Sequence, residues 1–512
     1  MVLGNRNAVD DELSRVVRLE IKHHFDGVDD DVSVARCVRL HCVGETLGIT
    51  RGNEQDGSRN DGNERKPEQC VRDAIPSGVH APEANEPPAF SLQSSSFALE
   101  CGCMLFGCPT VVLTRALICD PSERHYRGCV KLNPALEALG NYPIATIQQR
   151  VIDRREAGLP VIDFSIGDPT EPTPTFIRDA ARRAVPEISQ YPTAAGRADL
   201  REAIAGWVKR RHGLDVDPKS QVIPTSGSKE AIFSSHFAFI DPHASDVVVF
   251  PSPGYPVYER GAIFAGAELH KVVLSGDFIM RASDIDPTIL DRTKMIWTCT
   301  PHNPAGSVTS LDELDDLYRL ARDHDILLLS DECYVDTYDD DVFPGGPPSA
   351  LEVADSGFTG LLVYLSLSKR SGMTGYRSGA IVGDAEAIGA LKNLRSTTGS
   401  ASPDFVQQAA VVAWSDDQHA AERRAIFTKK REILGAAFDK LGLPIVGSRA
   451  GLYLWVRVDD DLATTDVLLD HGVVVSPGRF FGEGGEGYIR FALVPALDEC
   501  EAAAQALIVA LS

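Results

Sequence analysis

From Val161 to Val382, apolar runs of strand length alternate with amphipathic stretches of helical length. Gln221–Pro224, Val247–Phe250, Glu268–Val273, Met295–Thr298, Ile326–Ser330, Leu362–Leu365 and Gly379–Val382 read as strands. Between them Arg197–Arg211, Lys229–Phe239, Pro256–Ala265 and Leu311–His324 read as helices, and Ile144–Arg155 is a further helix ahead of the short apolar run Val161–Ile166. Strands that are apolar throughout have both faces covered. Their alternation with helices predicts an α/β fold with a seven-stranded, mostly parallel sheet. After Pro403 the pattern changes. Long helices (Pro403–Ala413, Asp417–Leu441) are followed by strand-like pieces at Gly451–Val458, Val473–Val475 and Tyr488–Leu493, and by a last helix at Leu497–Leu511. That order predicts a second, smaller α+β domain. No internal repeat is present.

Residues 1–129 carry no comparable pattern. No period of 2 or 3.6 persists there for more than a few residues. Gly44–Pro88 is rich in Gly, Asn, Glu, Arg and Pro, with few large apolar residues, and such a segment cannot bury enough surface to offset its chain entropy. A serine run follows at Gln93–Phe97. The expectation is a largely irregular N-terminal extension.

Composition sharpens this division. Of 11 cysteines, Cys37, Cys42, Cys70, Cys101, Cys103, Cys108, Cys119 and Cys129 precede Lys131, and only Cys299, Cys333 and Cys500 follow it. Scattered cysteines over so long a region point to a reducing compartment without a disulfide framework. Cys101, Cys103 and Cys108 lack paired CxxC spacing and a histidine partner, so no metal site is expected. The first thirty residues hold no apolar signal core, and Cys101–Cys119, interrupted by Gly102, Gly107, Pro109 and Arg115, is a poor spanning helix. A cytoplasmic protein with no membrane partner is expected. Fifty Lys and Arg against 73 Asp and Glu give a net charge of −23, which repels phosphate backbones and disfavours nucleic acid as a partner.

Six short segments carry the chemistry. Ser366-Leu367-Ser368-Lys369 follows the apolar run Leu362–Leu365, and Arg377 stands eight residues later in Gly375-Tyr376-Arg377-Ser378-Gly379. Taken alone, Lys369 is an ordinary lysine of a βα loop. Hydroxyls with a guanidinium, however, suit a phosphate monoester, and a lysine beside such a site suits Schiff-base chemistry with pyridoxal phosphate. The apolar run Leu327–Leu329 ends in Ser330-Asp331, with Tyr334 three residues on. An aspartate there caps a helix by default, or keeps a pyridine nitrogen protonated. Pro301-His302-Asn303-Pro304 is a turn. Thr225-Ser226-Gly227-Ser228-Lys229-Glu230 opens a helix whose N–H groups can hold an anion. Pro253-Gly254-Tyr255-Pro256 puts an aromatic at a strand-to-helix turn, where it can stack on a planar ring. Arg490 lies inside the apolar strand Tyr488–Phe491, where it either snorkels or grips a carboxylate.

In this order and spacing these segments resemble the fold-type I pyridoxal phosphate enzymes, specifically the class I/II aminotransferases related to aspartate aminotransferase. The resemblance runs from about Val130 to Ser512. It implies a large cofactor domain at 176–420, and a small domain made of 130–175 and 421–512. It implies pyridoxal 5′-phosphate held by Lys369. Asp331 would partner the ring nitrogen, Tyr334 and Asn303 the ring hydroxyl, and Tyr255 would stack on the ring. Gly227, Ser228, Lys229, Ser366 and Arg377 would cradle the phosphate, with Tyr191 reaching the neighbouring subunit's phosphate in a homodimer. Gly167 and Arg490 would take the α-carboxylate. In the reaction so implied, Lys369 carries the proton as base and acid.

Three stretches are similar, more narrowly, to succinyldiaminopimelate aminotransferases: Leu132-Asn133-Pro134 through Tyr142-Pro143, Ser366–Arg377, and Gly399-Ser400 with Ala413–Asp417. They imply transfer between N-succinyl-L,L-2,6-diaminopimelate and 2-oxoglutarate, with glutamate as the co-substrate, in lysine and diaminopimelate biosynthesis. Arg395 aligns with the family's distal-carboxylate arginine, its other reading being an exposed helix-end residue. Two features depart from the pattern. Lys229 replaces a hydroxyl residue of some relatives, and the 129-residue extension has no counterpart in ordinary members. Valine at position 130 is what an internal GTG start codon would read as, so the extension is expected to be dispensable. Two rivals stay open: another aminotransferase of the same class, of aspartate or aromatic type, and an aminotransferase-like transcriptional regulator. Against the regulator, residues 1–129 show no helix-turn-helix and more acidic than basic residues.

Overall fold

In the computed structural model, residues 131–139, 144–447 and 450–512 are described. The expectations for residues 1–129, including the span at Cys101–Cys119 and the cysteine group, lie outside them. Helices α1 (Pro134–Ala138) and α2 (Ile144–Glu156) lead to a short strand, β1 (Ile162–Asp163), and then to α3 (Thr175–Ala184) and α4 (Ala198–His212). The central run is β2 (Val222–Thr225), α5 (Ser228–Phe239), β3 (Val247–Ser252), α6 (Val257–Ala265), β4 (Glu268–Val273), β5 (Thr293–Cys299), α7 (Leu311–Asp323), β6 (Leu327–Asp331), β7 (Leu361–Ser366), α8 (Leu367–Arg370), β8 (Gly379–Gly383) and α9 (Ala385–Thr398). Then come α10 (Asp404–Trp414), α11 (Gln418–Leu441), β9 (Ile445–Val446), β10 (Tyr453–Arg457), α12 (Asp461–Asp470), β11 (Val473–Val474), β12 (Ser476–Pro477), β13 (Tyr488–Ala492) and α13 (Leu497–Leu511).

All seven strands expected from the apolar runs form one sheet, in the order β2-β8-β7-β6-β5-β3-β4. It is mostly parallel, as expected, with β8 antiparallel to both of its neighbours. The side-chain period of two sorts the core into two faces. Val249, Ile296, Leu328 and Val363 pack with Ile204 and Trp207 of α4, Leu314 and Leu317 of α7, and Ala409 and Ala413 of α10. Val248, Met295, Leu329 and Leu362 face the other way, onto Ile232 of α5, Ala262 of α6 and Leu391 of α9. β4 stands at the edge, where most of its side chains are exposed. The Ser310–Glu313 capping box starts α7, and Asp384 caps α9 through the amides of Glu386 and Ala387.

Parallel strands bring their carboxyl ends to one edge, where open α/β sheets take their ligands. Thr225, Ser252, Cys299, Asp331 and Ser366 are the last residues of β2, β3, β5, β6 and β7. The register sets Cys299 beside Asp331 and Ser366 beside Gly379.

A second hydrophobic cluster surrounds the four-stranded antiparallel sheet β12-β13-β10-β9. Phe427, Leu434 and Phe438 of α11 and Ala503 and Leu507 of α13 meet Leu454, Ile489 and Phe491 there. Phe164, just past β1, joins this cluster with its ring centroid 5.3 Å from that of Phe491. Among the described residues no helix is long and apolar enough to cross a membrane, and no group of three or more His, Cys, Asp or Glu could hold a metal ion.

Candidate active site

Asp331 ends β6 and is 3% exposed. Its Oδ2 accepts the Tyr258 hydroxyl at 2.7 Å, and its Oδ1 accepts the Cys333 amide at 3.2 Å. Burial raises its pKa, and those bonds oppose the rise by favouring the carboxylate. Tyr258 is itself held, its ring stacked on Trp297 with centroids 5.0 Å apart and planes 18° apart. Tyr255, one turn earlier, sits edge-on to Tyr258 at 5.8 Å.

Lys369 lies in α8, a single turn opened by Ser366, whose Oγ accepts the Ser368 amide at 3.1 Å. The Lys369 ammonium donates to the Gly167 carbonyl. Burial lowers its pKa to about 8, against the opposing pull of Asp168, so an appreciable neutral fraction exists near neutral pH. Gly167 has no room for a side chain, since a Cβ there would stand 2.5 Å from the Tyr453 hydroxyl. That hydroxyl also meets the Tyr334 hydroxyl at 2.9 Å. Burial raises the pKa of both phenols, so they are neutral over the ordinary pH range.

Arg490 stands opposite Trp455 and Ser476 in the smaller sheet. Its neighbours Ile489 and Phe491 fill the α11–α13 core, so the alternation of the strand aims Arg490 to the other face. There Nη1 donates to Asn303 Oδ1 at 3.0 Å, and Nη2 donates to the Ser165 carbonyl at 2.7 Å. The guanidinium carbon lies 4.2 Å from the Tyr453 ring centre and 4.3 Å from that of Phe481. Arg490 is 3% exposed, yet its buried Nε has no partner in the protein. A guanidinium has five N–H donors, so this buried cation keeps capacity for an anionic ligand.

The loop from β2 into α5 forms the third part. Gly227 precedes α5 with φ of +81°, which favours glycine, and a Cβ there would stand 2.4 Å from Arg377 Nη2. The Arg377 guanidinium therefore lies on the helix N-terminus formed by Gly227 and Ser228. No side chain caps that terminus. Arg377 is anchored through Nη1 to the Thr374 carbonyl at 2.9 Å, and Ser402 Oγ donates to the Arg377 and Thr225 carbonyls. Ser226, Thr374, Arg377 and Ser402 line a cavity of about 690 Å³. Lys229 follows in the first turn of α5, where desolvation and then the Arg377 and Arg260 charges lower its pKa. An uncapped helix start, a guanidinium and a lysine make this a site for a dianion.

The structure thus brings Gly167, Lys369 and Arg490 together around Tyr453 and Tyr334. It places Asp331 and Tyr255 on Tyr258, and Gly227, Ser228, Lys229 and Arg377 at one helix terminus. Ser366 uses a lone pair on its own helix and keeps its proton to donate. Asn303 keeps its amide donors. Tyr191 is fully exposed on the α3–α4 connection. Arg395 departs from the exposed helix-end reading of the sequence. It is 1% exposed, with Nη1 on both Glu230 oxygens at 2.7 and 2.8 Å and Nη2 on the Ser400 carbonyl at 2.9 Å. The cause is the packing of α9 against α5, which buries the arginine beside an acid of its own chain. Sequence reasoning missed Tyr258, Tyr453, Phe481 and Ser165. The signal for Tyr258 is its place one turn after Tyr255, which by itself does not part it from a core aromatic.

These residues fit pyridoxal phosphate. The α5 terminus with Arg377 suits its phosphate, the buried Asp331 carboxylate its ring nitrogen, and the partly neutral Lys369 its aldehyde.

A family model described as aminotransferase class I and II matches residues 160–507. An LL-diaminopimelate aminotransferase of Aquifex aeolicus is 35% identical over 367 residues, which is 70% of this chain and 93% of that protein. A crystal structure of an aminotransferase from Neisseria meningitidis superposes with a TM-score of 0.69 at 33% identity, covering 74% of this chain and all of that one. A probable N-succinyldiaminopimelate aminotransferase from Thermus thermophilus gives a TM-score of 0.67 at 26% identity, covering 72% and 100%.

Proposed function

The chain belongs to the class I and II aminotransferases, and on that premise we propose that it transfers an amino group between N-succinyl-L,L-2,6-diaminopimelate and 2-oxoglutarate. The family is pyridoxal phosphate-dependent. When bound, the cofactor supplies an aldehyde that captures the amino group and a cationic ring that draws electron density from the substrate's Cα.

The protein's own residues do the rest. Asp331 keeps the ring nitrogen protonated. Gly227, Ser228, Lys229, Ser366 and Arg377 hold the phosphate, Tyr255 covers the ring, and Tyr334 and Asn303 donate beside its oxygen. Arg490 and Gly167 fix the α-carboxylate, which sets the Cα–H bond toward Lys369. Lys369 then takes that proton and returns it as base and acid. The observation that carries this reading is Arg490. It is a buried cation with unspent donors, in the same cluster as Lys369, and the positive charge of Arg490 bears on that lysine.

The N-succinyl form is supported by the three sequence stretches around Leu132, Ser366–Arg377 and Gly399, and by the likeness to the Thermus protein. Free LL-diaminopimelate is the second reading, favoured by the names of the curated relatives. We read the enzyme as a cytoplasmic homodimer in which Tyr191 of one subunit completes the site of the other. Its full exposure supports that role. We also read 130–175 with 421–512 as the small domain, supported by the packing of Phe164 on Phe491.

The test adds donors singly to the cofactor-loaded protein and follows the visible absorbance. N-Succinyl-L,L-diaminopimelate is expected to convert the band at lower concentration than LL-diaminopimelate, aspartate or phenylalanine. Conversion by LL-diaminopimelate alone would select the second reading.

A further inference from the structure

Tyr453 touches three of the groups assigned above, although its place in the apolar strand β10 marks it as an ordinary core aromatic. Its hydroxyl lies 2.9 Å from that of Tyr334 and against Gly167, whose carbonyl receives the Lys369 ammonium. Its ring lies under the Arg490 guanidinium at 4.2 Å. Tyr453 is 4% exposed.

We propose that Tyr453 is a positioning residue of this site, whose ring carries Arg490 and whose hydroxyl donates to Tyr334 so that the Tyr334 proton points at the ligand. The inference rests on the aminotransferase reading.

The direction of the bond follows from charge. A cation against a phenol ring favours the phenolate and so makes that phenol the better donor. Burial raises the pKa of both phenols and Asp331 adds to the rise in each, but Arg490, seated over the Tyr453 ring, opposes it at Tyr453, while Cys333 adds to it at Tyr334. Tyr453 is therefore the stronger donor of the pair. By donating, it takes up a lone pair of Tyr334 and leaves that residue's single proton free. The ring acts separately. Arg490 spends Nη1 on Asn303 and Nη2 on Ser165, and the Tyr453 and Phe481 faces fix its plane. A carboxylate then meets a guanidinium already oriented. The charged and titratable groups acting on the pair are Asp331, Cys299, Cys333 and Arg490, and Lys369 beside it feels Asp168, Cys333, Arg377 and Arg490.

Two variants separate ring from hydroxyl. Tyr453→Phe keeps the ring, and Tyr453→Leu removes both. Each is loaded with pyridoxal phosphate, and two quantities are read: the midpoint of the pH titration of the visible band, and the Kd of succinate, a non-reacting dicarboxylate, from its effect on that band. In Tyr453→Phe the weakened donation by Tyr334 leaves more negative charge on the ring oxygen. The midpoint should rise by about half a pH unit or more, with the succinate Kd unchanged. Tyr453→Leu should show the same rise and roughly fivefold weaker succinate binding. A Tyr453→Phe titration identical to the wild type would overturn the hydroxyl's role. Succinate binding in Tyr453→Leu equal to wild type would overturn the ring's role. If Tyr453→Leu does not fold, the Tyr453→Phe titration decides the hydroxyl's role, and succinate binding in Tyr453→Met decides the ring's. A wild-type protein with no visible band would overturn the functional reading and this inference with it.

Discussion

The Tyr258 hydroxyl donates to the Asp331 carboxylate at 2.7 Å, joining the start of α6 to the end of β6. Asp331 is buried, and burial alone would favour its neutral form, which could not hold a protonated ring nitrogen. The Tyr258 bond and the Cys333 amide keep the charged form accessible. Tyr258→Phe is therefore expected to weaken pyridoxal phosphate binding by roughly 10- to 100-fold, since a hydrogen bond to a charged group contributes about 1.5–3 kcal/mol. Equilibrium dialysis of the variant checks this, and unchanged affinity would contradict it.

The pKa of Lys369, lowered to about 8, predicts a pH dependence of cofactor attachment. Only the neutral amine attacks an aldehyde. With cofactor-free protein, the rate of appearance of the visible band should rise about tenfold per pH unit below pH 8 and level off above it. A rate that keeps climbing to pH 10 would show an unshifted lysine.

Glu332, next to Asp331, is 1% exposed. Its Oε1 accepts from Ser330 Oγ at 2.9 Å and from the Ala350 amide at 2.8 Å, while Oε2 has no partner. Burial pushes its pKa up to about 7. The folded state thus holds this proton more tightly than the unfolded chain does. The associated stability is complete below the unfolded value, near 4.5, and is lost as pH rises to about 7. Glu332→Gln stays neutral and escapes that loss. Its stability relative to wild type should improve by about 2–3 kcal/mol between pH 4.5 and 8. Urea unfolding at both pH values measures the difference, and a gap that does not change with pH would contradict it.

Much of the fold was legible because its strands are buried on both faces. A strand such as β3 or β7 shows as an unbroken apolar run, and the expected Glu268–Val273 matches β4 at both ends. Two helices left fainter signals. α3 buries only Ile177 and Ala180 among three arginines, and α9 carries Gly389 in its middle. In the site, Lys369, Asp331 and Arg377 were legible because each is a charge set at the end of an apolar run or in a small-residue loop. Tyr258 and Tyr453 were not, because an aromatic in a buried element reads as core until its hydroxyl partner is known. The partner of Arg395, Glu230, lies 165 residues away, and only the packing of α5 on α9 brings the two together.

The exposure of Tyr191 leads to a complementation test. Chains carrying Lys369→Ala and chains carrying Tyr191→Phe should each have reduced or no activity alone. Unfolded together and refolded, they should regain activity above the sum of the two, because mixed dimers hold one site with both residues intact. No gain on mixing would count against sites shared between subunits.

The central claim is that Lys369 carries the cofactor. Borohydride reduction of the pyridoxal phosphate-loaded protein, followed by peptide mapping, tests it most directly. The account predicts a single stable adduct on the peptide containing Ser366–Arg377, located on Lys369 and absent from Lys369→Ala. An adduct on another lysine, or one retained in Lys369→Ala, would contradict it.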